Sequence, residues 1–283
     1  MDVQQIVEAV LKEIQKSSVP EAQHKTASVQ DEETLTLPLH DVDDTNNAAT
    51  LEHARSLTPA RIAIGRAGVR MKTKHYLHFR VDHAAAQDAV HQEVDEALLQ
   101  ELQLPILTSA ATDLKDYLTN LQAGRKLSEY SISWLRENGD VSKDVQIIVS
   151  NGLSSEAVTA NIKSLLPALM QGLQLKNVTV GKPIYVKRAR VWLQDEVARI
   201  VNCKLAVILI GERPGLNTAQ SLSAYMIYEP NEKTVEADRT VISNIHEGGL
   251  APTEAGAYLA EILSQMLKLQ CTGVSFMKKR NEK

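Results

Sequence analysis

The sequence predicts an α/β protein: a doubly wound, mainly parallel sheet, Rossmann-like in plan, preceded by a small helical subdomain and by a flexible N-terminal helix plus linker. Three observations predict it. From about Arg125 onward, short runs rich in Val, Ile and Leu alternate with longer stretches of helical period. Glycine-containing turns follow two of those runs directly, at Ser150–Ser154 and Gly211–Gly215. Ahead of them, one amphipathic stretch is cut off from the rest by a long polar segment.

In order along the chain, Met1–Lys16 is the first element. Val3, Ile6, Val7, Val10, Leu11 and Ile14 form one apolar stripe at helical spacing. Asp2 and Lys16 lie at the ends that the helix dipole favours. A helix this short is marginal alone, so its stripe needs a partner to bury it, either a docking surface or, as the alternative, its own domain. Residues 17–56 read as an acidic flexible linker, with Pro20, Pro38, Asp31-Glu32-Glu33 and little apolar content. Residues 57–124 read as a helical subdomain. Thr58 is its expected N-cap, with Pro59 at the first helical position. Gly65-Arg66-Ala67-Gly68 makes a tight basic turn, and Ala84–Leu99 and Ser109–Leu121 follow as helices.

Residues 125–283 form the α/β domain. Strands are expected at Val145–Ser150, Pro183–Val186, Leu205–Ile210, Ala224–Tyr228 and Gly273–Met277. Helices are expected at Lys126–Asn138, Ser155–Gln171 (stopped by Gly172), Trp192–Val201 and Thr253–Leu269. In such sheets ligands sit beyond the carboxyl ends of the strands.

Composition excludes several function classes. A net charge of −4 over 283 residues offers no broad basic surface for nucleic acid. No stretch is long and apolar enough to span a bilayer. Glu8, Lys12 and Glu13 interrupt any apolar run that a secretory signal would need. Cys203 and Cys271 stand apart in no metal-ligand spacing, which reads as reduced thiols in a cytoplasmic protein. His75, His78, His83 and His91 crowd one region without the carboxylate of a familiar zinc motif, so no metal site is expected.

Three turns could carry chemistry. Ser150–Ser154 reads first as a turn with a helix-capping Ser. Gly211-Glu212-Arg213-Pro214-Gly215 holds Glu212 at a strand end, either as a ligand group or in a structural pair with Arg213. Glu236–Gly249 mixes charged and apolar residues before a glycine pair, which is costly to order without a binding role. No nucleophile elbow, Walker loop or dinucleotide fingerprint appears.

Taken together, Gly211–Gly215 and the run Glu236–Gly249 resemble the ethanolamine ammonia-lyase light chain. Gly65–Gly68, Asp82-His83 and Ser150–Ser154 fall in the order of that family, and the resemblance runs from about Thr58 to the C-terminus. It implies the small subunit of an adenosylcobalamin-dependent lyase, in a hetero-oligomer with a large (heavy) subunit that binds ethanolamine. The small subunit would cover the nucleotide-tail face of the cofactor, making residues 125–283 a cobalamin-binding domain with no catalytic residue of its own. The family's cofactor contacts then fall on Val191, Glu212 and Val241, with Arg190 as an addition. Relatives often carry cysteine where Val241 stands. Asn244–Gly249 mimics a cobalt-ligating Asp-x-His-x-x-Gly motif. Asn replaces the Asp that would orient the imidazole, so His246 is expected to be a loop or interface residue. The resemblance also implies residence in a bacterial microcompartment, with residues 1–16 docking on a shell or cargo component. The alternatives are a Rossmann-like nucleotide-dependent oxidoreductase, which lacks its phosphate loop here, and a non-catalytic interaction protein.

Overall fold

The computed structural model describes residues 48–58 and 60–282. The expected helix Met1–Lys16, residues 17–47 of the expected linker, and Pro59 lie outside the described residues. The described chain opens with α1 (Ala48–Ser56), inside the stretch read as linker, and the hairpin β1 (Arg66–Ala67) and β2 (Arg70–Met71). Then come α2 (Thr73–His91), α3 (Glu96–Glu101), β3 (Ile106–Thr108), α4 (Leu114–Thr119), a 3-10 turn at Ala123–Arg125 and α5 (Glu129–Asn138). The remainder is β4 (Val145–Ser150), α6 (Ser155–Leu175), β5 (Ile184–Lys187), α7 (Leu193–Val201), β6 (Leu205–Gly211), β7 (Leu222–Tyr228), β8 (Thr240–Ile245), α8 (Pro252–Leu269) and α9 (Gly273–Asn281).

Six strands form one sheet in the order β3-β5-β4-β6-β7-β8. The first four are parallel, whereas β7 and β8 run antiparallel to their neighbours. Alternation along the strands sets the two layers. Val145, Ile147, Val149, Leu205, Val207 and Leu209 face α6 and α8, while Ile148, Ala206, Ile208 and Val186 face α5 and α7. These side chains are fully buried, and each Val, Leu and Ile among them contributes roughly 1.5–3 kcal/mol of transfer free energy. From β4 the chain turns to β5 on one side, and from β6 it continues to β7 on the other. The carboxyl ends of β4 and β6 therefore flank a topological switch point.

Several expectations need correction. Gly273–Met277 is helix, the start of α9. Only Phe276 of its larger side chains is buried, with Val274 and Met277 exposed, and Lys278, Lys279 and Arg280 suit a helix C-terminus. No helix starts at Thr58. Its hydroxyl accepts the Ala60 N–H at 3.1 Å in a local turn, and a residue before proline is biased away from helix. The predicted helix Ala84–Leu99 is two, because Asp95 caps a new one through the Ala97 N–H at 2.9 Å. Ser109–Leu121 shrinks to α4, with Ser109 bridged to Leu127 instead. β3, just before that stretch, joins the large sheet as an edge strand beside β5. Gly172 does not stop α6. A Cβ there would stand 2.6 Å from that of Ala260, so this glycine lets α6 and α8 pack closely.

Candidate functional site

Three chain segments converge at the carboxyl ends of β4, β5 and β6 around a cavity of about 460 Å³. The loop after β4 brings Gly152 and Leu153, the loop after β5 brings Arg190, Val191 and Trp192, and the end of β6 brings Gly211, Glu212 and Arg213. Ser223 and Tyr225 of β7 and Val241 and Ser243 of β8 form the floor. All four sequence-predicted contacts, Arg190, Val191, Glu212 and Val241, line this one cavity.

The closeness of the loops depends on two glycines. Gly152 has φ +52, and a Cβ on it would lie 2.4 Å from the Gly211 carbonyl oxygen. A Cβ on Gly211 would meet the Ser154 carbonyl oxygen at 2.1 Å. The Leu153 N–H donates to that same Gly211 oxygen at 3.1 Å, tying the loops together.

Glu212 is aimed by its neighbours. Its Oε1 accepts from the Ser223 hydroxyl at 2.7 Å and from the Asn244 backbone N–H at 3.0 Å. The second donor exists because β8 carries an extra residue opposite β7. Ile245 pairs with Leu222 but Ile242 pairs with Ala224, and the resulting bulge includes Asn244 at φ +61. Oε2 of Glu212 accepts no hydrogen bond among the described residues. Burial, and then the Glu212 charge, raise the pKa of Tyr225 on the floor, which therefore stays a neutral phenol.

Arg190 occupies the opposite wall. Its guanidinium carbon lies 4.5 Å from the Tyr117 ring centroid, and Nη2 donates to the Tyr117 carbonyl oxygen at 2.7 Å. The Tyr117 hydroxyl donates to the Ala189 carbonyl oxygen at 3.0 Å. Burial pushes its pKa up to about 12 despite the lowering pull of Arg190. Beside them Arg125 stacks on Trp192 at 4.0 Å. Val241 is 44% exposed and opposite Tyr225, so it offers the cavity an apolar surface.

His246 lies beyond the bulge. Its Nδ1 accepts the Gly248 N–H at 3.1 Å, which makes Nε2 the donor to Asn244 Oδ1 at 2.9 Å. Among the described residues no three His, Cys, Asp or Glu side chains cluster as a metal site.

A family model described as ethanolamine ammonia-lyase light chain matches residues 48–277. The chain is 45% identical over 233 residues to the ethanolamine ammonia-lyase small subunit of Clostridium tetani, covering 82% of this chain and 79% of that one. It is 44% identical over 220 residues to the small subunit of Listeria monocytogenes, covering 78% and 75%. Against that of Clostridium acetobutylicum it is 43% identical over 224 residues, covering 79% and 93%. The chain belongs to the ethanolamine ammonia-lyase light-chain family. The matched range contains the whole large sheet and every residue that lines the cavity.

Family motifs point to the loop after β6 and to β8, but not to the whole wall. Ser243 falls in the run read as binding, but Tyr117, Ser223 and Tyr225 are missed by sequence reasoning. Ser223 and Tyr225 did carry a signal: two polar-tipped residues two apart on a strand, hence on one face. Tyr117 carried none, since it meets Arg190 only through the fold.

Proposed function

We propose that this chain is the small subunit of an adenosylcobalamin-dependent ethanolamine ammonia-lyase. With a large subunit it converts ethanolamine to acetaldehyde and ammonia, and its cavity covers the nucleotide-tail face of the cofactor. The observation that carries this reading is the convergence of Arg190, Val191, Glu212 and Val241, from three distant parts of the sequence, on one cavity at the switch point of the sheet.

The residues present suit a corrinoid. Its rim of amides supplies donors for the carboxylate of Glu212, whose Oε2 has no partner among the described residues. Val191, Val241 and Tyr225 supply apolar surface for the ring edge. A corrinoid is far larger than 460 Å³, so this cavity takes one portion and a second chain must enclose the rest. When bound, the cofactor supplies the radical by homolysis of its cobalt–carbon bond. The side chains of this subunit bind it, orient it and keep water from one face. Glu212 binds and does not react, so no substrate acid or base is required of this chain. The engagement of both His246 nitrogens within its own loop supports a role for that residue outside cobalt ligation.

Residues 1–16 act, in the same reading, as an address that docks the assembled enzyme in a cytoplasmic microcompartment. The experiment is co-expression with a family large subunit, assaying adenosylcobalamin-dependent acetaldehyde release by each chain alone and by the complex. Activity with both chains only is expected, and it persists in vitro after deletion of residues 1–16. Failure to form any complex contradicts the subunit reading, and loss of activity on deletion contradicts the addressing role.

A further inference from the structure

Among the described residues Arg190 has no counterion. Its backbone N–H donates to the Gly124 carbonyl oxygen at 2.7 Å, and Nη2 is committed to Tyr117. Nε is buried without a partner, and no described carboxylate pairs with the guanidinium. Arg239 nearby is different: both of its terminal nitrogens sit 2.7 Å from the Asp195 carboxylate. A half-buried guanidinium with unused donors is costly unless a ligand supplies the acceptor. The surrounding chain is shaped to hold it there. A Cβ on Gly124 would stand 2.6 Å from Arg190 Cγ and 2.9 Å from the Tyr117 ring, so the 3-10 turn is closed tightly around this side chain. Arg213 adds a second cation to the cavity lining, against the single carboxylate of Glu212. The lining therefore carries two cations against one carboxylate, and only Arg190 stands on the side away from Glu212.

We propose that Arg190 is the anion-taking group of this cavity and that it binds the phosphodiester of the cofactor's nucleotide tail. This rests on the reading of the cavity as a cobalamin site. The corrin rim presents neutral amides, whereas the phosphodiester is the anionic group of the tail. A planar guanidinium held by stacking on Tyr117 keeps its charge and the Nη1 donors for a phosphate oxygen. Glu212 on the far wall would repel that phosphate, which fixes the direction in which the tail lies.

The test is equilibrium binding to the assembled two-chain complex, followed by corrinoid absorbance after dialysis. It compares adenosylcobalamin with adenosylcobinamide, which keeps the corrin and cobalt but lacks the phosphodiester, ribose and base. Arg190→Gln is expected to weaken adenosylcobalamin roughly 10- to 100-fold while changing adenosylcobinamide less than about threefold. Arg190→Lys is expected to recover part of the loss by restoring the charge. With the unaltered complex, raising the salt concentration is expected to weaken adenosylcobalamin and leave adenosylcobinamide nearly unchanged. This measurement holds even if a variant fails to assemble. Equal losses for both ligands in Arg190→Gln, or an equal salt response of both, overturn the phosphate assignment and leave the cavity reading intact. Binding of neither corrinoid by the assembled complex overturns the cavity reading, and the assignment with it.

Discussion

Glu212 and its two donors are the smallest unit from which the site can be tested. The Ser223 hydroxyl and the Asn244 N–H both hold Oε1, which leaves Oε2 for a ligand. Glu212→Ala is predicted to raise the cofactor KM of the assembled enzyme roughly tenfold or more, with kcat within about twofold. Ser223→Ala is predicted to raise it by a smaller factor, about threefold, because the bulge still supplies one donor. Steady-state kinetics against cofactor concentration check both; a fall in kcat with unchanged KM would place Glu212 in the chemistry instead. At this scale Glu212 was legible in the sequence, since glycines and a proline fix its loop at a strand end. The wall opposite was only half legible. Val191 came from the family motif and Arg190 from its place beside Val191, but the Tyr117 ring that holds Arg190 is brought there by the fold, and no local pattern announces it.

At the scale of elements, the paired glycines and a polar clip keep the strand ends in place. Gly211→Ala is predicted to destabilise the fold by more than about 2 kcal/mol, because its Cβ would collide with the Ser154 and Asn151 backbone oxygens. Urea unfolding measures this, and a change below about 0.5 kcal/mol would mean that the loops part without cost. At the other ends of these strands Asp144 binds the Thr179 N–H at 3.0 Å and hydroxyl at 2.7 Å, and Lys204 at 2.8 Å. Burial alone would raise the pKa of Asp144, but these donors outweigh it and lower the pKa from 3.8 to about 2. The clip's stabilisation is thus fully present above the ordinary carboxylate pKa and is lost as pH falls toward about 2. The stability gap between the unaltered chain and Asp144→Asn is predicted to narrow through that window, and a gap constant with pH would contradict it. The strands β4 to β7 were legible because they are buried apolar runs. β3 was not: three residues with an exposed–buried–exposed pattern carry too little signal. β8 was hidden because Ile245 is its one fully buried residue and the bulge at Asn244 breaks its alternation, which made it look like a loop.

For the whole molecule, the sheet is covered unevenly. α5 and α7 pack on one face over β3 to β6, and where that layer ends the antiparallel strands show Tyr225, Val241 and Ser243 at the cavity floor. This is why the doubly wound fold, legible from the alternation of strands and helices, leaves a half-open site at its switch point. The sequence could not reveal the openness, because it follows from the reversal of β7 and β8 rather than from any motif. A half-open site implies a second chain to close it. The most direct test is an experimental structure of the two-chain complex with adenosylcobalamin. The account predicts the nucleotide-tail side of the cofactor against Val191, Glu212 and Val241, with Arg190 on its phosphate and the large subunit closing the opposite side. A cofactor lying wholly within the large subunit, with this cavity filled by that subunit's own side chains, would contradict it.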